Sequence, residues 1–268
     1  GYGLNAQQVL LPAFMAAYTG RSAGKISLKT IPGLLQMMPN WQLRFSGLRN
    51  LGFVERNFRS LSLNHSYRAL YSLGSYSGNP EYSDVREAAL MARDRQNNFI
   101  PEWNVTSVSI TEQFSPLLGL DMTFNNQLSL RVELRKSRMV TLSLANIQIT
   151  ETLHDEYIFG VGYTFAEIPS FLRPLAGNAP AASSRLTMRG DFSLRDSKAF
   201  LRRLDQEAQP SQGQRVATLK LSAEYVLNNN FTLSAFYDRM VNDPFVSTAY
   251  KTSNATFGFS LRFSMFQF

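Results

Sequence analysis

The stretch QLSLRVELR, Gln127 to Arg135, decides how the chain reads. Leu128, Leu130, Val132 and Leu134 alternate with Gln127, Ser129, Arg131, Glu133 and Arg135. Successive side chains of a strand point to opposite faces, so the segment predicts a strand with one apolar and one polar side. The same period recurs at three other places. Ala217, Leu219, Leu221, Ala223, Tyr225 and Leu227 alternate with Thr218, Lys220, Ser222 and Glu224. Leu186, Met188, Gly190, Phe192 and Leu194 alternate with Thr187, Arg189, Asp191, Ser193 and Arg195. Phe257, Phe259, Leu261 and Phe263 alternate with Gly258, Ser260 and Arg262.

Weaker versions occupy Trp41–Leu48, Phe58–Ser72, Val105–Phe114, Leu118–Phe124, Met139–Ile149, Tyr157–Phe165 and Phe231–Arg239. The total expectation is about eleven strands, many near the roughly 9–11 residues that cross a bilayer when tilted. Asn125-Asn126, Lys136-Ser137-Arg138 and Asn228-Asn229-Asn230 read as hairpin turns between antiparallel neighbours. Ser115-Pro116 is either a turn between two strands or a kink in one long strand. Residues 1–40 form a first segment of loop and short helix (Ala6–Leu11), and 41–268 the strand-rich remainder. Within it, Asp84–Asp94 reads as a helix from its charges and Ala residues. Residues 166–184 and 196–214 read as loops from their Pro, Gly, Ser and Ala.

Composition narrows the class. The 268 residues are 44% hydrophobic and 12% aromatic, with 20 Phe, which is too much core-forming material for disorder. Charged residues are 18%, below the roughly 25% of ordinary soluble proteins. The net charge is +7, but the cations are scattered singly with no Lys/Arg block, which argues against nucleic acid. Without cysteine there is no disulfide framework, thiolate metal site or Cys nucleophile. The longest apolar run, Val9–Tyr18, holds Pro12 and is too short for a spanning helix. No Lys or Arg precedes it, so it is a poor signal peptide.

Alternating strands suit a soluble sandwich, apolar side inward, or a membrane barrel, apolar side in lipid. Three features favour the barrel. The apolar faces are uniform over many residues, with Gly160 and Gly162 opposite Tyr157, Phe159, Val161 and Tyr163. Aromatics gather at strand ends (Trp41, Trp103, Phe165, Tyr225, Phe231, Tyr237, Phe263, Phe266), where interfacial girdles lie. The chain closes on an amphipathic strand ending in Phe268, which resembles the insertion signal of bacterial outer-membrane barrels. The fold expected is therefore all-β, an antiparallel transmembrane β-barrel wall with loop and short-helix insertions. Leu128, Leu130, Val132, Leu134, Leu219, Leu221, Phe257, Phe259, Leu261 and Phe263 then face lipid. Arg131, Glu133, Arg135, Arg189, Asp191, Arg195, Lys220, Glu224, Asp238 and Arg262 line the lumen. Phe266 and Phe268 carry the assembly signal. A short link at Asn228–Asn230 and a long loop at Val241–Ser253 would leave Phe268 at the periplasmic rim.

Several stretches are similar to one family. They are Val9–Gly20 (VLLPAFMAAYTG), Pro39–Leu48 (PNWQLRFSGL), Asn98–Arg138 (NFIPEWNVTSVSITEQFSPLLGLDMTFNNQLSLRVELRKSR), Asp191–Lys198 (DFSLRDSK), Gln214–Leu227 (QRVATLKLSAEYVL), Phe236–Thr248 (FYDRMVNDPFVST) and Thr252–Ser264 (TSNATFGFSLRFS). Together, in this order, they resemble the SprA/Sov family, the outer-membrane translocon of the type IX secretion system. Members are far longer than this chain. The resemblance implies the C-terminal part of a very large single-chain barrel, a class that reaches 36 strands. It implies export of folded cargo bearing a C-terminal secretion domain, a role in secretion and gliding motility, and the bacterial outer membrane as location. The implied partners are the rest of the barrel chain, a PorV-like shuttle barrel, a plug protein, the secreted cargo and outer-membrane lipid. Rival readings are another large outer-membrane barrel for small solutes, such as a TonB-dependent receptor or porin, and a soluble β-sandwich binding module.

Catalytic chemistry finds little footing, and neither enzyme activity, cofactor nor metal is expected. His65 shares parity with Leu61 and Leu63, as a packed or interfacial histidine would. His154-Asp155-Glu156 reads as a solvated turn, since adjacent residues cannot easily converge on one ion. There is no Gly-x-Ser-x-Gly elbow. Phe159-Gly160-Val161-Gly162 lies on a strand, so its glycines serve close packing and not dinucleotide binding. Glu112 interrupts the apolar face of Val108, Ile110 and Phe114. It must lie at a membrane boundary, face protein or mark a bulge.

Overall fold

The computed structural model describes residues 2–20, 22, 39–50, 52–80, 82, 93, 95, 97–165, 185–203, 206–227, 230–246 and 249–264. Nine strands make one antiparallel sheet: β1 (Trp41–Phe45), β2 (Phe58–Leu73), β5 (Ser107–Phe124), β6 (Leu128–Ser143), β7 (Gln148–Phe165), β8 (Arg185–Arg203), β9 (Gln209–Val226), β10 (Phe231–Pro244) and β11 (Thr252–Phe263). Sequence neighbours pair throughout, in the order β1-β2-β5-β6-β7-β8-β9-β10-β11. The sheet does not close, so β1 and β11 each have one neighbour in it. Between β2 and β5, β3 (Tyr76–Gly78) and β4 (Trp103–Val105) form a small sheet of their own.

With β3 and β4 the strands number eleven, as expected, but the nine of the main sheet are mostly longer than their periodicity predicts and divide the chain differently. Val105–Phe114 and Leu118–Phe124 are largely one strand, β5. Phe114 pairs with Lys136 and Leu118 with Leu134, so Ser115–Leu117 bulge opposite Arg135. Lys136-Ser137-Arg138 is no turn. It lies inside β6, where Lys136 pairs with Asp155 and Arg138 with Leu153. The real reversal is at 144–147, where Ile147 takes a left-handed φ of 50°. Residues 196–214, expected as loop, are mostly strand: β8 runs to Arg203 and β9 starts at Gln209. The loop expected at Val241–Ser253 shrinks to 245–251. Asn125-Asn126 does turn the chain, with Gln127 N–H donating to Phe124 O at 3.2 Å. The link around Asn228–Asn230 is likewise short, closed by Leu227 N–H to Phe231 O at 3.0 Å.

The expected helix at Ala6–Leu11 extends to α1, Gln7–Thr19, with Pro12 inside it. It stops at Gly20, whose φ of 67° suits a residue without Cβ, and the Gly20 N–H returns to Ala16 O. Gln7 ties its start to β4, accepting from Val105 N–H at 3.0 Å through Oε1. A second short helix, α2 (Gly52–Asn57), leads into β2. No described helix is long and apolar enough to cross a membrane. The expected helix Asp84–Asp94 (Arg93 apart), the expected loop 166–184, and Phe266 and Phe268 lie outside the described residues.

Candidate functional site

The pairing register sorts the side chains of the sheet onto two faces, here A and B. Leu128 stands in one row with Tyr163, Met188, Ala223, Ala235 and Phe259. All ten residues expected to face lipid share this face A. Arg131, Glu133, Arg135, Arg189, Asp191, Arg195, Lys220, Glu224, Asp238 and Arg262 all fall on face B. The structure therefore keeps both predicted sets intact and on opposite sides.

On face A the apolar residues fill a band that is slanted against the register. On β6 it runs from Leu128 to Leu134, and Lys136 ends it. On β11 it runs from Phe263 to Phe257. Phe259, not Phe263, is in the row of Leu128, and Ser253, not Phe257, is in the row of Leu134. The lower edge thus shifts by four residues across the five strand steps, about 14 Å over about 24 Å at ~3.4 Å per residue and ~4.8 Å per strand, a slope of about 30°. The upper edge keeps to the row of Leu134, Tyr157, Leu194 and Ala217 from β6 to β9 and drops by four residues only at β10 and β11. The band is open: Phe257 is 74% and Phe259 76% exposed. Phe58–Phe124 and Phe231–Phe263 ring pairs, with centroids 4.5 and 4.6 Å apart, mark its lower edge. Trp41, Tyr67 and Phe114 cluster at its upper edge, with centroids 4.4 and 4.9 Å apart. His65 joins them, stacked on Trp41, with Nδ1 donating to Leu117 O at 2.6 Å. It is a packed histidine, as its parity suggests.

The first charges above the band are paired across strands. Lys136 Nζ lies 3.3 Å from Asp155, and Arg215 Nε donates to Asp196 Oδ1 at 2.7 Å. His154-Asp155-Glu156, expected as a turn, is mid-strand in β7. Asp155 points to face A, whereas His154 and Glu156 point to face B, so the three cannot share an ion. His154 instead shares a 2.8 Å hydrogen bond with Ser197 Oγ. Among the described residues no cluster of His, Asp and Glu is fit for a metal.

Further up, face A turns apolar again, and here protein covers it. Leu10, Leu11, Phe14, Met15 and Ala16 of α1 pack on Val108, Ile110, Val140 and Leu142. Glu112 sits at the lower rim of this patch. Tyr67 O–H donates to its Oε1 at 2.8 Å, and Arg138, itself bound to Glu151 at 2.7 Å, comes within 4.0 Å. Tyr18 of α1 lies against the same carboxyl, and its burial, reinforced by Glu112, pushes the phenol well above its ordinary pKa. Of the three explanations for Glu112, contact with protein is the one seen.

Face B is mostly polar, with Met139, Ile158, Val216, Phe236 and Met240 as scattered apolar positions, and its charges interlock. Glu133, 6% exposed, is held from both sides along its own strand. Arg131 Nε donates to Oε1 at 2.8 Å and Arg135 Nη2 to Oε2 at 2.6 Å. Arg135 continues to Glu156 at 3.6 Å, and Glu156 to Arg195 at 2.8 Å. Asp121, Arg131, Gly160, Asp191, Lys220 and Asp238 form one cross-strand row whose charges alternate in sign. Gly160 makes room in it, since a Cβ there would meet Asp191 Oδ1 at 2.7 Å. A Cβ on Gly162 would meet Ser129 Oγ at 2.5 Å. The close packing expected of these glycines is thus realised against polar side chains. Sequence reasoning missed Asp121, Glu156 and the Asp196–Arg215 pair. Their signal is visible only once the register is known, because each partner lies on another strand.

No family model matches the chain, and no curated protein matches it.

Proposed function

We propose that this chain is a section of the wall of a large outer-membrane β-barrel, with face A in lipid and face B towards a water-filled interior. The observation that carries this reading is the open apolar band that runs without interruption over face A from β6 to β11 and ends above on the charges Lys136, Asp155, Asp196 and Arg215. Strands of such barrels tilt by roughly 35–45°, and a band of constant height then crosses the register obliquely. The lower edge of the band, sloping by about 30°, is close to that tilt. The aromatics at both edges fit interfacial girdles. The single-sided pairing of β1 and β11 fits a wall continued by other strands, because an open edge is not tolerated in hydrocarbon.

Within that class, we assign the chain to the type IX secretion translocon, as its C-terminal section. The assignment rests on the motifs that resemble the SprA/Sov family. Face B suits passage of folded cargo: it is mixed in sign, internally paired and poor in apolar patches that would hold a passenger. The action is passage through a pore, with no bond made or broken. Disrupting the coding region in the host tests it. Cargo proteins with a C-terminal secretion domain should accumulate in the periplasm while small-solute uptake continues. Loss of solute uptake with normal cargo export would favour a receptor or porin. Recovery of the protein without detergent would favour a sandwich.

A further inference from the structure

Face A carries a groove of about 490 Å³ between β7 and β11. Its floor is made of residues with little or no side chain, Gly190, Ala223 and Ala235, and Met188, Leu221 and Phe259 rise beside it. A Cβ at Gly190 would come within 3.1 Å of Leu221 Cδ2, so a larger residue there would crowd the groove. Directly above, next in line beyond Tyr237 on β10, stands Arg239. It is exposed, on the same face, between Leu219 of β9 and Ala255 of β11.

Arg239 belongs to the charges that end the apolar band, but it differs from the others. Lys136 has Asp155, Arg215 has Asp196, and Glu112 has Arg138. Among the described residues Arg239 has no carboxylate partner and no side-chain hydrogen bond, and its cross-strand neighbours Leu219 and Ala255 offer none. A guanidinium at the edge of an apolar surface is a fork of donors suited to a phosphate. The apolar groove lies two rows deep just below that fork, from Val161 and Tyr163 on β7 to Phe257 and Phe259 on β11, and offers apolar surface to an acyl chain.

We propose that Arg239 and the Gly190–Ala223–Ala235 groove bind one phosphate-bearing glycerolipid, headgroup phosphate on the guanidinium and one acyl chain in the groove. The site rests on the reading of face A as lipid-facing. Bound lipid would complete the wall at its thinnest point and supply the anion that the neighbouring strands withhold.

Native mass spectrometry of the intact protein in detergent, titrated with phosphatidylglycerol, tests the site. One lipid should be retained at concentrations where glycerol phosphate is not. Arg239→Gln should weaken retention at least tenfold. Ala223→Phe, which fills the groove and leaves Arg239 in place, should do the same. Heat-modifiability on gels checks that both variants are folded. Equal retention by wild type and both folded variants overturns the site. Binding of glycerol phosphate as strong as that of the lipid overturns the acyl-chain half. A separate Leu261→Trp variant, away from the groove, reports on face A through quenching by brominated lipid. Quenching together with unchanged lipid retention rejects the site alone. Absence of quenching rejects the lipid-facing reading, and the site with it.

Discussion

Face A is apolar twice, and the two regions are solved differently. In the upper region Val108 is fully buried and Ile110 and Leu142 are 4% exposed, because α1 lies over them. In the lower region Phe257, Phe259 and Leu261 keep 66% or more of their surface. Both regions have the same period of two, and β6 carries both, with Leu128–Leu134 in the open band and Val140 and Leu142 under α1. The period fixes which residues share a face. It carries no information on whether protein or solvent meets that face. The line between them is the belt of Lys136, Asp155, Asp196 and Arg215. An exposed apolar area this continuous marks a contact with something other than water. On the proposed reading the lower region meets lipid, and the upper region stands above the membrane and recruits its own cover.

The largest test of that contrast is a charge placed under α1. Val108→Asp leaves a carboxylate with no partner in a dry patch and should cost about 3–5 kcal/mol. Its effect should be local. Protease protection of α1 should be lost while the protein still reaches the membrane fraction. A variant that fails to insert but keeps α1 protected would reverse the roles of the two regions.

A charge in the open region should act the other way round. Leu130→Arg should cost about 2–4 kcal/mol if Leu130 lies near the bilayer midplane. It should impair insertion and leave α1 docked in whatever protein does assemble. Urea titration of barrels refolded into lipid vesicles measures the cost. A loss below about 0.5 kcal/mol would show that this region faces water.

The upper region should also respond to alkali. The phenol of Tyr18 is held protonated by burial beside Glu112, so its folded pKa lies above the unfolded value of about 10. Above that pH the unfolded state binds fewer protons than the folded one, and stability falls by at most about 1.4 kcal/mol per pH unit. This contribution is fully present below pH 10. Protection factors of α1 amides, corrected for the base catalysis of exchange, should fall above about pH 10, and Tyr18→Phe should weaken that dependence. Unchanged alkaline behaviour in the Phe variant would place the sensitivity elsewhere.

The two regions also explain what the sequence concealed. The alternation at 128–134, 186–194, 217–225 and 257–263 was legible because each run lies in the open band, where one face is wholly apolar. Above the band face A accepts charge, so β6 and β8 continue through Lys136-Ser137-Arg138 and Asp196–Arg203 without contrast between their faces. Those segments resemble loops in composition although they are fully paired. Their charges are satisfied across strands, by Asp155, Glu151 and Arg215, and such partners lie 13 to 19 residues away in sequence or further. The reach of α1 was hidden for a different reason. Pro12 argues against a helix locally, and only the patch formed by Val108, Ile110, Val140 and Leu142 outweighs it. The face B residues were all legible as a set, but their clamp on Glu133 depends on side-chain reach along β6, which alternation does not specify.

The smallest effect belongs to the boundary itself. Lys136 and Asp155 are adjacent across β6 and β7, 3.3 Å apart, with 53% and 41% of their side chains exposed. An exposed pair of this kind gains little Coulomb energy and loses side-chain freedom, so its coupling should be about 0.2–1 kcal/mol. A double-mutant cycle with Lys136→Ala and Asp155→Ala measures it directly, and the value should shrink further in high salt because the pair is solvated. The stability is small, but the position has a consequence for the contrast between regions. Lys136→Leu would add one more apolar row to the band on β6, directly above Leu134. If the belt only follows the edge of the lipid, that substitution should be nearly neutral and leave the depth of neighbouring residues unchanged. If the belt sets the edge, a spin label at position 138, the next face A position above Lys136 on β6, should move closer to the membrane, lowering its accessibility to water-soluble relaxation agents. Asp196 and Arg215 on β8 and β9 stay paired in this variant, so the prediction is the first outcome: coupling below about 1 kcal/mol and no measurable shift in depth.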